Sequence, residues 1–554
     1  MPLVVTTLLT SPQWQPVHAS ETDSPPHHSR RLGYIRADHP LTVDDLSSPD
    51  VMAHHPERAG GIIISDDEVL IVQDRLRSWP LLWTILSPDG EDPVCVISDD
   101  ANALNRFSQQ LGSSSTWNIP ARDEFLDTGF VTGTDTLVRT ISSAPQGVMV
   151  RINRHTHDVT FHPYALSYFL DESIESPGEF SEFLSQAFDR SMTTLMNRVG
   201  SRRLLIPLSG GLDSRLLVSW LKKNDVSSAL TFTYGVSGSR EAQVSQQVAQ
   251  QAGLPWHFIE YEPEAMLRAW HSEQTHEFFR YSSGFNALPH VQDWFALQSL
   301  DSQGMLDNDV VLPGHTIVGN MHDHELLHRQ NVTHGDLGRA LIAHHNILQE
   351  HSHQALSDDY RIAKVARYLR MYGHPHNYRY VQSVIESYNV HERQTKYINN
   401  SVRAYEFMGL DWALPMLDAP MWHGWAHGSE QLTATRDFYR SFVNYQWAQA
   451  LGNRSELAYY EVTPLASETR EKIKRVLDRA HVLPLAERSF SSWSSMHSAM
   501  SFDRLVTDCS RATMAAKLMQ GRMTLGFWTR SFLGDTWSRG STIFKFLHED
   551  TYNN

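Results

Sequence analysis

The sequence predicts an α/β protein in two parts, a β-rich first region and a longer, helix-rich region built on a parallel sheet. Three observations predict it. Short β-branched runs separated by turn formers recur from residue 1 to about 170. A β-α-β-α-β pattern occupies residues 204 to 261, and that alternation calls for parallel strands with right-handed crossovers. Long helical patterns dominate the remainder.

In the first region, residues 1–10 are apolar but have no basic flank, so they read as a strand rather than a signal peptide. Further strands are expected at 62–64, 69–72, 94–97 and 148–152, with turns at 65–67 and 144–147. Residues 20–31, with two prolines and paired histidines, suit a surface loop. The texture changes at 173–179, which sets the expected boundary between domains 1–175 and 176–554.

In the second region, residues 204–208 read as a buried strand, with Pro207 tolerable at a strand end or sheet edge. Leu212, Leu216, Leu217, Trp220 and Leu221 then share one side of a helix. Residues 229–234 make a second strand. A helix over 241–252 is expected to bury Val244, Val248, Ala249 and Ala252 and to end at Gly253, a natural C-cap. Residues 256–261 complete the pattern.

Between the first strand and first helix lies Ser209-Gly210-Gly211-Leu212-Asp213-Ser214. Two glycines let the backbone approach a ligand, and a helix N-terminus offers free N–H groups and a positive dipole end. With both serine hydroxyls this makes a cradle for phosphate or pyrophosphate. Asp213 fits such a site if a divalent cation bridges it to the phosphates. The plain structural alternative is a serine-glycine turn with Asp213 capping the helix. The strand–turn–helix setting, the acid and both serines favour the phosphate reading.

Those six residues resemble the pyrophosphate loop of the PP-loop ATP pyrophosphatases, and the surrounding chain is similar to the synthetase domain of asparagine synthetase-like proteins. Asp74-Arg75-Leu76-Arg77-Ser78-Trp79-Pro80-Leu81-Leu82, residues 129–137, Gln146-Gly147 and Leu414-Pro415-Met416-Leu417-Asp418 match other stretches of that family, so the resemblance spans about 60 to about 420. Residues 287–294, 312–316 and 392–407 are similar to asparagine synthetase-like amidotransferases encoded with surface-polysaccharide genes, thought to amidate the carboxylate of a uronic acid sugar.

The resemblance implies an N-terminal glutaminase-like (Ntn-type) β-sandwich followed by a PP-loop synthetase domain. It also implies ATP and Mg2+ as cofactors and an AMP-forming carbon–nitrogen ligase. Leu208, Ser209, Gly210, Gly211, Leu212 and Ser214 would hold the nucleotide and its pyrophosphate, with Asp213 on the metal. Phe232, Thr233 and Tyr234 would lie beside the adenine, and Gly314 and His315 would complete the pocket. Arg393 and Lys396 would be cations for phosphate or substrate carboxylate; a solvated helix face explains them equally well.

Two departures stand out. The family's glutaminase uses an N-terminal cysteine as nucleophile; here residue 2 is Pro2 and the nearest cysteine is Cys95. The first domain therefore reads as a degenerate glutaminase, with nitrogen supplied as ammonia or as an amine. The family's second magnesium aspartate is also missing from residues 316–320, unless Asp323 or Glu325 replaces it. Lys472 and Lys474 offer a lysine for the adenylation step, without a motif to align them. Three readings stay open: amidation of a sugar or small-molecule carboxylate, an intramolecular cyclase of β-lactam synthetase or lasso-peptide type, and a non-catalytic partner protein.

Composition narrows the partners. With 47 Lys and Arg against 63 Asp and Glu, the net charge is −16, which disfavours nucleic acid and anionic membranes. No apolar run is long enough to insert in a membrane. Two cysteines suit a reducing compartment, and the cytoplasm is the expected location. His322, His324 and His328 invite a metal site, but scattered surface histidines explain them more cheaply. A homodimer remains open.

Overall fold

The computed structural model describes residues 1–18, 32–165, 169–170, 172–319, 324–373, 377–452, 489, 492–498, 500, 502–506, 509–534 and 544. The loop expected at 20–31, His322, Asp323, Lys472 and Lys474 lie outside the described residues.

The first region carries β1 (Val4–Leu8), β2 (Gln15–His18), β3 (Leu32–Ala37), α1 (Val43–Ser47), α2 (Pro49–His54), β4 (Ala59–Ile64), β5 (Glu68–Gln73), β6 (Leu82–Leu86), β7 (Val94–Ser98), α3 (Ala101–Gln110), α4 (Ile119–Thr128), β8 (Ser142–Ser143), β9 (Val148–Asn153) and β10 (Val159–Pro163). The strands form a four-stranded sheet in the order β1-β7-β6-β8 and a six-stranded sheet in the order β10-β9-β5-β4-β3-β2. Successive side chains on a strand face opposite ways, and β7 shows the result. Cys95 and Ile97 enter a core shared with Ile71 and Val150 of the other sheet, whereas Val96 packs outward with Leu104 of α3. Leu46 and Met52 of α1 and α2 cover the outer face of the six-stranded sheet against Ile63, Leu70 and Val72. The layers therefore run helix, sheet, sheet, helix.

The long helix α5 (Pro177–Val199) leads into β11 (Leu204–Pro207), α6 (Asp213–Lys223), β12 (Ala229–Gly235), α7 (Arg240–Ala252) and β13 (Trp256–Glu260). With β14 (Val310–Val311) and β15 (Asp411–Trp412) they build a five-stranded sheet, order β13-β12-β11-β14-β15, in which every pairing is parallel. Pro207 ends the central strand, where its missing N–H removes no interior ladder bond. Gly253 caps α7 in the left-handed conformation at φ 76°. One expected contact differs: Val244 is only half-buried, because Ala242, Ser245, Val248, Ala249 and Ala252 set the inward face of α7.

One continuous apolar core joins the two regions. It runs from Leu104 and Phe125 on α3 and α4, through Leu205 and Phe232 of the parallel sheet, to Trp270, Trp294 and Trp528. Among the described residues no helix is long and apolar enough to cross a membrane.

Candidate active site

The loop at 209–214 starts where β11 ends and is fixed to β12. Leu208 N donates to Phe232 O at 2.8 Å, and Thr233 Oγ1 donates to Leu208 O at 2.7 Å. The chain then curls on its own serines. Ser209 N donates to Ser214 Oγ at 3.1 Å, and Gly211 N donates to Ser209 Oγ at 3.2 Å. No side chain caps α6, and the start of a helix left in that way is a place where N–H groups can receive an anion. Across the loop, a Cβ on Gly314 would stand 2.8 Å from Ser214 N and 3.2 Å from Asp213 Cβ. Only glycine lets the two backbones approach so closely.

This approach closes one side of a cavity of about 210 Å³ whose lining includes Asp213, Gly314, His315, Asn389, Arg393 and Arg436. Four of the expected site residues thus meet. Asp213 Oδ1 pairs with Arg436 at 2.7 Å, both side chains being partly exposed. Burial raises the pKa of the Asp213 carboxyl, while Arg436 and Tyr439 lower it. Burial also lowers the pKa of His315 to about 4, which leaves its imidazole neutral near pH 7, and it lowers the pKa of Arg393.

Lys396 does not join them. Its ammonium is fully buried and pairs with Glu392 at 2.6 Å. It also donates to Val131 O and Gly133 O, both at 2.8 Å. The backbone explains the separation from Arg393. Residues Asn389–Ile398 wind as a π-helix, a widened form often found at functional sites. In an α-helix side chains three apart diverge by only about 60°; the wider winding roughly doubles that angle. Arg393 therefore reaches the cavity while Lys396 turns to the first region.

The adenine-side candidates are held by second contacts. Phe232 is buried, and Tyr234 OH donates to Asp293 Oδ1 at 2.5 Å. The other oxygen of Asp293 accepts from Tyr405 OH. The Tyr234 ring stacks on Tyr261 at 5.0 Å.

Sequence reasoning missed Arg436, Asp293, Tyr405 and Glu386. Glu386, on the helix Tyr378–Tyr388, reaches the cavity wall: a Cβ on Gly319 would collide with its Oε2. Burial pushes its carboxyl up to about 8. Glu325 is exposed and does not line the cavity. Among the described residues no group of three or more His, Cys, Asp or Glu side chains is placed to hold a metal ion.

Residues 184–285 match the asparagine synthase family model. The matched segment runs from α5 to the helix Glu273–Ser283 and contains the whole β-α-β-α-β unit with its loop. No curated protein matches the chain. Among solved structures, the chain is similar to an NH3-dependent NAD synthetase from Campylobacter jejuni, at 15% identity and TM-score 0.18, over 51% of this chain and 99% of that one. It is also similar to an NMN synthetase from Francisella tularensis, at 11% identity and TM-score 0.17, over 52% of this chain and 100% of that one.

Proposed function

We propose that the chain is an ATP-dependent, AMP-forming carbon–nitrogen ligase that activates a sugar or small-molecule carboxylate and passes it to ammonia or an amine. The observation that carries this reading is the cavity in which the uncapped start of α6, Asp213, Arg393 and Arg436 converge. A carboxylate is a poor electrophile because its charge is delocalised. Attack of its oxygen on the α-phosphorus breaks the bond to the bridging oxygen and releases pyrophosphate. The amine nitrogen then attacks the acyl carbon, AMP leaves and the nitrogen loses a proton.

The residues divide this work. Ser209, Gly211 and Ser214, with the first N–H groups of α6, would receive the departing pyrophosphate, whose developing charge is the main electrostatic demand. Arg436 would move from Asp213 to phosphate, and Arg393 would orient the incoming carboxylate. Magnesium commonly uses one or two carboxylates together with substrate phosphates. Asp213 with ATP therefore fits it, and the cation would supply charge neutralisation there. Cys95 supports an external nitrogen source: it is fully buried between the sheets, and its thiol is pushed up to about 12. A thiol so protected is not a nucleophile.

Exchange of labelled pyrophosphate into ATP, run with magnesium over a panel of uronic acids and amino acids, tests the reading. We expect exchange that depends on one carboxylate class and disappears in Asp213→Ala. Exchange that survives Asp213→Ala would remove the loop from the reaction. Product mass separates amidation, a change of about one unit, from cyclisation, which removes water.

A further inference from the structure

A second cavity, of about 720 Å³, lies on the opposite edge of the parallel sheet. Its lining includes Arg202, Asn308 and Asp411, which precede or open β11, β14 and β15. The pyrophosphate loop leaves the other end of β11, and this four-residue strand separates the two edges by roughly 13 Å. From the first region come Gln15, Arg36, Arg58 and Trp79.

Five guanidinium groups line this cavity, and four are paired. Arg58 binds Asp38 at 2.8 Å and Asp411 at 2.7 Å. Arg198 and Arg202 bind Asp411 at 2.7 and 2.9 Å, and Arg403 binds Glu406 at 2.6 Å. Arg36 has no hydrogen-bond acceptor or ion-pair partner among the described residues. Its guanidinium lies 4.3 Å from the centroid of Trp79, and its Nε is buried without an acceptor.

The lining carboxylates are engaged elsewhere. Asp38 holds Arg58 through both oxygens. Glu406 also accepts from Tyr281 and Trp412. Asp99 accepts from Thr10, Ser11 and Trp14. The protein therefore places a half-buried cation against an aromatic face, with Glu406 acting on it only from a distance and no carboxylate paired to it. Trp79, 5% exposed, likewise leaves its Nε1 without an acceptor.

We propose that this cavity binds a small anion, a carboxylate or phosphate on a polar body, whose charged end pairs with Arg36. The fork of a guanidinium matches either group through two parallel hydrogen bonds. The Gln15 and Asn308 side chains, without hydrogen bonds among the described residues, face the polar body of the ligand. Burial, with repulsion from Arg403 and Arg58, lowers the pKa of Arg36 to about 10 against the opposing pull of Glu406. A bound anion would relieve that repulsion. The site does not depend on the reaction assigned to the loop.

Arginine labelling of the full chain with phenylglyoxal, mapped by peptide mass spectrometry, reads Arg36 directly. Malonate probes the carboxylate source and inorganic phosphate the phosphate source. We expect at least one to slow labelling of Arg36 roughly tenfold, the factor given by about 1.4 kcal/mol. Labelling of Arg436 reports the loop separately, so binding there is not mistaken for binding here. Arg36→Gln should remove the corresponding event from calorimetric titration without lowering the melting temperature. If that variant fails to fold, the wild-type labelling decides. Unchanged labelling of Arg36 under both anions overturns the site.

Discussion

Two ion pairs of the same kind have opposite settings. Lys396 and Glu392 are both 0% exposed, and backbone carbonyls from the first region complete the lysine's hydrogen bonds. Asp213 and Arg436 are 26% and 35% exposed and line a cavity. The first pair is sealed on every side and has nothing left to offer a ligand. The second can exchange one partner for another at little loss, because water and a phosphate can replace what is given up. Charge type alone does not distinguish structure from chemistry; the remaining hydrogen-bond capacity does.

That contrast can be broken experimentally. The largest effect belongs to Asp213→Asn, which should lower pyrophosphate exchange by roughly 10²–10³-fold while denaturant unfolding stays near wild type. Lys396→Met should do the reverse. Unpairing buried Glu392 should destabilise the fold by about 3–5 kcal/mol, read by urea denaturation, with exchange per folded molecule little changed. Adding Glu392→Gln, which removes the unpaired charge and keeps an acceptor near Gly133 N and Gln146 Nε2, should recover part of the lost stability. Arg436→Ala should lower exchange about tenfold through loss of one phosphate cation. A rise in exchange instead would mean that Arg436 competes with magnesium for Asp213.

A separate effect, on stability rather than exchange, is set by pH. Glu386 has its carboxyl pushed up to about 8, so the folded protein holds that proton more tightly than the unfolded chain. Its contribution to stability is complete below about pH 4, the ordinary glutamate range, and is lost as pH rises to 8. Glu386→Gln should therefore come close to wild type at pH 4 and unfold at higher denaturant at pH 8.5. Equal midpoints at both values would place a partner beside the carboxylate.

The parallel unit was legible because its information is local. Periodicity gave β11, α6, β12, α7 and β13, and Gly253 marked the helix end. The loop followed from its glycines, its serines and Asp213. The cavity was only half legible. Arg436 stands 223 residues from Asp213, and Tyr405 stands 112 from Asp293, so no spacing rule could join them. Lys396 misled for a different reason. In sequence it suits a ligand cation or a solvated helix face, and nothing local shows that residues near 131 cover it. Arg36 was invisible because its significance lies in partners that neighbouring side chains have already taken.

The π-helix at Asn389–Ile398 leaves the protein with a hidden fragility. Removing one residue there would let the segment relax to ordinary winding and rotate everything upstream by about 100° relative to the chain beyond it. Asn389 would swing off the cavity wall, and the deletion would act as a frame error written in three dimensions. Glu392, Arg393 and Lys396 apart, substitutions in that segment should be tolerated far better than any change in its length.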